Sequence, residues 1–130
     1  MSEQEKTFSV TTTIESQRIA DLVTTAFEGG SNYWIETVSI LKVPPKPEGE
    51  DHSYPWYSFK NVYEDPDFQV KINVEDDDPV IFDHASIQRG LDYLSKNYPR
   101  HINDILQEND DAETADAFLQ ACLFGDIVYG

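Results

Sequence analysis

Apolar and polar positions fall into blocks along the chain, and the period of each block predicts an element. Phe8, Val10, Thr12 and Ile14 alternate with Thr7, Ser9, Thr11 and Thr13. This β-branched, period-two pattern predicts a half-buried strand over 7–14, preceded by six polar residues expected to fray. The period then changes. Ile19, Leu22, Val23, Ala26 and Phe27 stand at i, i+3, i+4, i+7 and i+8, the apolar stripe of a helix over 16–28. Ser16 is placed to cap its start. Gly29 and Gly30 are expected to end it in a left-handed conformation, so that valine at either would cost about 1–2 kcal/mol. Tyr33 to Val43 alternates as a strand again. Neither of its faces is cleanly polar, which predicts a central strand or one that changes faces.

The middle of the chain is punctuated by proline. Residues 44–53, beginning Pro44-Pro45-Lys46-Pro47, cannot sit inside a sheet and are expected to form an exposed loop. Tyr54 to Tyr63 follows, dense in aromatics, either a lid over the core or a contact surface. Phe68, Val70, Ile72 and Val74 then give the cleanest strand, with Gln69, Lys71 and Asn73 facing out. The acidic turn Glu75-Asp76-Asp77-Asp78-Pro79 connects it to a short strand, Val80-Ile81-Phe82, expected to pair with it.

The last third reads as helical. Asp83 can cap a helix over 84–97 with Ile87, Leu91, Leu94 and Tyr98 on one side. Pro99 suits the first position of another helix over 99–108. Asn109-Asp110-Asp111 turns into a final helix near 112–124, whose stripe is Ala115, Phe118, Leu119, Cys122 and Leu123, and which Gly125 stops. Together these blocks predict one α+β domain over 1–130: a small, mainly antiparallel sheet with about three to four helices packed on one face.

Charge sharpens this picture. The chain has 25 acidic and 9 basic residues, a formal net charge of −16. Five bases and 11 acids precede residue 66 and the rest follow, so the halves carry −6 and −10 and the acidity is not one tail. Phosphate backbones and anionic membranes need clustered Lys and Arg, so direct nucleic-acid or membrane binding is disfavoured. A basic protein surface would be attracted. Sixteen aromatic residues argue against disorder despite the charge. The single cysteine, Cys122, excludes an intrachain disulfide and falls on an apolar stripe, where a buried, inert thiol is expected. No run of 18 apolar residues exists and the start is not a signal peptide, which together suggest an intracellular setting.

Catalytic and metal signatures are missing. His52, His84 and His101 are scattered, and there is no metal-binding spacing, P-loop, GxGxxG or nucleophile elbow. Asp76–Asp78 with Asp83 and His84 match no cation loop and read as solvated. No cofactor is expected, and an enzyme has no support. The better candidates are aromatic. Asn32, Tyr33 and Trp34 offer an amide beside π faces, a combination that holds planar bases, with Trp56 and Tyr57 placed to close the other side. Arg89 and Arg100 are scarce cations that would meet a phosphate if they converged, and ordinary ion pairs otherwise. Glu75, Asp76, Asp77, Asp78, Asp110 and Asp111 are the carboxylates expected to meet a protein partner.

Two blocks carry a resemblance: Ala26-Phe27-Glu28-Gly29-Gly30-Ser31-Asn32-Tyr33-Trp34, and Tyr98-Pro99-Arg100-His101 through Ala117-Phe118-Leu119-Gln120 to Phe124-Gly125-Asp126-Ile127-Val128-Tyr129-Gly130. In this order they resemble a family of small uncharacterised proteins found across tailed-bacteriophage and prophage genomes. The resemblance covers about half the chain and implies a phage protein working in a bacterial cytoplasm. It brings no catalytic residues. The reading it favours is a non-enzymatic accessory protein, of the host-interaction or anti-defence kind, an anti-CRISPR-like inhibitor or nucleic-acid mimic, binding a basic host or defence protein. The alternatives are sequestration of a nucleotide-like small molecule and, behind it, a small hydrolase. A homo-oligomer is compatible with all three.

Overall fold

Phe68, Val70, Ile72 and Val74 organise the sheet. In the computed structural model, which describes residues 8, 12–75 and 77–130, all four are buried. Gln69, Lys71 and Asn73 take the other face, because successive strand side chains alternate. This strand, β2 (Gln69–Val74), is central. β1 (Ile35–Lys42) and β3 (Val80–Asp83) pair antiparallel on its two sides, giving the order β1-β2-β3. β2 and β3 meet across the acidic turn in the expected hairpin, Val70 opposite Phe82.

Five helices complete the α+β fold: α1 (Ser16–Thr25), the short α2 (Lys60–Glu64), α3 (His84–Asn97), α4 (Pro99–Leu106) and α5 (Ala112–Phe124). They join the Val70, Ile72, Val74 and Phe82 side of the sheet in one apolar cluster. α5 is the centre of that cluster. Nine of its thirteen residues are buried, because its stripe is widened by Ala117, Ala121 and Gln120. Capping is supplied by short polar side chains. The Asp83 carboxylate accepts from the Ser86 backbone N–H and the Ser86 hydroxyl accepts from the Asp83 N–H, a closed capping box at α3. Asp111 accepts from the Thr114 N–H at α5, and Gly125, at φ 66°, stops it.

Several expectations need correction. Half of the strand expected over 7–14 lies outside the described residues, and Phe8 and residues 12–15 have no regular structure. Glu15, not Ser16, occupies the N-cap position of α1; the Ser16 hydroxyl instead donates to Glu64 at 3.0 Å, tying α1 to α2. Gly29 and Gly30 are not left-handed. α1 runs on into a wider π-helical turn, Ala26–Gly30. Gly30 is needed for another reason: a Cβ there would stand 2.7 Å from the Ala112 carbonyl oxygen, whereas one at Gly29 would meet nothing within 4 Å. Gly90 marks a tighter crossing of α3 on α5, where a Cβ would lie 2.8 Å from the Cys122 backbone nitrogen.

β1 is an edge strand, not a central one. Its pairing with β2 shifts register between Ile35 and Thr37 and again between Ile40 and Lys42, so Glu36 and Leu41 are bulged out of the ladder. Two bulges flip the alternation twice, which is why neither face looked polar in sequence. Residues 44–53 form the expected loop without strand or helix, pinned by Lys46 donating to the His52 carbonyl and by Asn61 donating to the Pro45 carbonyl. The aromatic segment after it folds back as a lid: Phe59, Val62 and Tyr63 are buried, and Trp56 and Tyr57 pack edge-on against Phe27. Among the described residues no helix is long and apolar enough to cross a membrane.

Candidate functional site

The residues expected to form one pocket separate into two places. At the first, Trp34 is a core residue, only 1% exposed. Its ring stacks on Tyr129 with centroids 5.4 Å apart and planes 3° from parallel, and Phe124 packs against it at 5.5 Å. A buried indole N–H needs an acceptor, and Asp116 supplies it at 2.7 Å. The same carboxylate accepts from the Ser31 hydroxyl at 2.8 Å, the Tyr33 hydroxyl at 2.5 Å and the Gln120 amide at 3.1 Å. Four donors converge on one carboxylate, two to each oxygen, so the half-buried charge is fully solvated by protein.

Gln120, one turn on from Asp116, extends this clasp. Its side-chain oxygen accepts from the backbone N–H groups of Val128 and Tyr129, both at 2.7 Å. Tyr129 in turn donates to the Glu75 carbonyl, and the Glu75 N–H donates to the Trp34 carbonyl. The clasp therefore holds the acidic turn beside the segment 127–130. Glu75, Asp77 and Asp78 are exposed there, and no Lys or Arg forms an ion pair with them among the described residues; Asp76 lies outside the described residues. Tyr33 and Val128, 53% and 56% exposed, give this end an apolar surface as well. A concavity of about 460 Å³ opens on it, lined by Tyr33, Arg100, His101, Glu113, Asp116 and Tyr129 among others.

At the second place, Asn32 does meet Trp56 and Tyr57. Together with Phe27, Ile35 and Val38 they line a cleft of about 200 Å³ beside the β1 edge. Tyr33 and Trp34 point elsewhere. Tyr57 donates to Glu28 at 2.7 Å. Burial and that carboxylate push its hydroxyl up to about 12, as burial and Asp116 do for Tyr33. The Asp126 carboxylate, accepting at 2.6 Å, raises Tyr93 likewise to about 12.

The two arginines do not converge on a common partner. Arg89 donates to the Cys122 carbonyl at 2.6 Å, in the last turn of α5, where a cation is favoured. Arg100 forms an exposed 3.4 Å pair with Glu113. Two of the acids expected at a partner surface are also used internally. Asp110 is paired with Arg18, its side chain only 10% exposed, and Asp111 caps α5. The sequence does not separate these two from the solvated acids, because an aspartate in a turn looks the same in either role. Asp116, Gln120 and Tyr129 were missed. Their signal was an acid and an amide at i and i+4 in the most apolar helix of the chain, where nothing polar stays without a partner.

Among the described residues no group of three or more His, Cys, Asp or Glu is disposed to hold a metal ion. Cys122 is buried, and burial raises its thiol far above the ordinary range, so it is no nucleophile at neutral pH. No protein-family model matches the chain, and neither the curated proteins nor the solved structures give a match.

Proposed function

We propose that this protein works by contact: it is a non-enzymatic accessory protein of phage origin, acting in a bacterial cytoplasm, that binds a basic surface on a host or defence protein. Its carboxylates would compete there with nucleic acid. The observation that supports this reading is the end of the molecule built around the clasp. Exposed Glu75, Asp77 and Asp78, without an ion pair among the described residues, belong to a turn that is tied through Glu75 to Trp34 and Tyr129, the sequence neighbours of exposed Tyr33 and Val128, on a scaffold fixed by Asp116 and Gln120. Rigid anchoring of an acidic, partly aromatic surface lowers the ordering cost of binding a cationic partner. The test is an affinity capture from infected or defence-bearing bacterial lysate at low and high salt, followed by association kinetics on the purified partner. Association should slow steeply as salt rises, and the triple change of Glu75, Asp77 and Asp78 to their amides should slow it further. A salt-insensitive rate, or a triple variant that binds unchanged, overturns the proposal.

The second reading, capture of a nucleotide-like ligand, has one observation in its favour: Asn32 shares a cleft with Trp56 and Tyr57. The cleft is smaller than the ~300–1,000 Å³ usual for such sites, and no cation among the described residues lines it. Trp56→Ala should abolish any such binding without unfolding the chain.

A further inference from the structure

The geometry points to β1 as a self-pairing edge: two copies of this chain join antiparallel through β1, with Ser39 of each on the two-fold axis, making one six-stranded sheet. Four features of the strand support this occupant over others. First, an edge strand directs half of its backbone groups away from its neighbour, and among the described residues no backbone group of 36–42 bonds to anything except β2.

Second, charges of opposite sign stand at the two ends of the strand. Because Glu36 and Leu41 are bulged, a two-fold at Ser39 brings Lys42 of each copy level with Thr37 of the other, beside its bulged Glu36. A parallel pairing would place like charges together, which is unfavourable. Lys42 is available for this, since its pair with Asp67 is long, at 3.8 Å, and exposed. Edge strands usually deter pairing with charges of one sign; here each sign meets its opposite.

Third, the apolar positions match in the same register. Val38 and Ile40, opposite buried Ile72 and Val70, lie on the inner face of the sheet. The two-fold places Val38 of one copy opposite Ile40 of the other and continues that face across the junction. Ile40 is 49% exposed, large and apolar, with nothing among the described residues to cover it fully. Fourth, Val38 forms one wall of the Phe27–Trp56–Tyr57 cleft, so the incoming Ile40 arrives at the mouth of an aromatic cleft suited to an aliphatic side chain.

Two chains of −16 repel at long range, so this dimer should tighten as salt is added. Binding of a basic partner should weaken under the same change, which keeps the two proposals separable. The test is register-specific cross-linking. In paired strands, directly opposed Cα atoms are about 4.5–5.5 Å apart, within disulfide reach. Mild oxidation of Ser39→Cys should therefore give a covalent dimer on a non-reducing gel. Thr37→Cys should not, because its two copies stand roughly 13 Å apart in this register. Buried Cys122 does not compete.

Sedimentation equilibrium gives the second readout. Glu36→Lys and Lys42→Glu should each weaken the dimer at least about fivefold, and the double swap, which keeps the net charge, should restore it to within about twofold. Three results overturn the inference: Ser39→Cys staying monomeric at every salt concentration, Thr37→Cys cross-linking as well as Ser39→Cys, or a dimer that forms only after residues 1–11 are removed. The last would assign the edge to the chain's own N-terminal segment.

Discussion

Trp34 and Ile35 are neighbours in sequence, yet they belong to regions built on opposite rules. Around Trp34 every polar group is matched: the indole, two hydroxyls and an amide all end on Asp116, and Gln120 takes two further backbone donors. From Ile35 onward, β1 has no fully buried residue, carries two bulges and leaves its outward backbone unpaired among the described residues. The first arrangement is closed and rigid. The second presents donors, acceptors and apolar side chains to whatever arrives. One region fixes the structure and the other is free to meet a partner without disturbing it.

Substitutions can break this contrast, and the largest effect belongs to the clasp. Trp34→Ala should cost about 3–5 kcal/mol in urea denaturation; a loss below about 1 kcal/mol would mean that the clasp does not hold the fold. Gly90→Ala comes next, at about 1–3 kcal/mol, because the new methyl group meets a backbone nitrogen that cannot swing aside. Gly29→Ala is the matched control and should be neutral or stabilising by up to about 1 kcal/mol. Asp111→Ala should cost about 1 kcal/mol through the lost cap.

The Asp111 loss should depend on pH. The Thr114 backbone N–H holds the Asp111 carboxyl below its ordinary value, so its stabilisation is present above about pH 4 and fades as pH falls through the lowered folded value. The variant's acid limb should be correspondingly shallower. At the other end of the scale, Tyr33, Tyr57 and Tyr93 are raised to about 12 against an unfolded value of about 10. Their contribution is intact below about pH 10 and disappears between about 10 and 12. An ultraviolet titration should show at least four late phenols, these three and buried Tyr63, that ionise normally in denaturant. Smallest of all, Thr37→Ser or Ile40→Thr on β1 should shift monomer stability by less than about 0.5 kcal/mol. A larger loss would place β1 with the clasp and erase the distinction.

Local patterns were readable where one element decides its own shape. The period of α5, the Asp83 cap and the alternation in β2 all depend on residues a few positions apart, and each element appears where its spacing put it. Trp34 was not readable, because its partner Asp116 lies 82 residues away, and an exposed stacking platform and a buried one have the same local sequence. The Gly29-Gly30 pair failed for a related reason. Glycine serves both positive φ and close approach, and only the position of Ala112 shows that Gly30 serves the second. The bulges at Glu36 and Leu41 blurred the alternation of β1, so the change of faces was legible in the sequence but the strand's place at the sheet edge was not.

The seal of Gly90 over Cys122 has a practical consequence. Because the chain's only sulfhydryl sits beneath the α3–α5 crossing, an alkylating reagent can reach it only during excursions that part those helices. Its modification rate is thus a stopwatch for the opening of the protein's middle, obtained without adding a probe. A bound molecule that slows that reaction would reveal itself as a stabiliser of the native state before anyone knew where it sat.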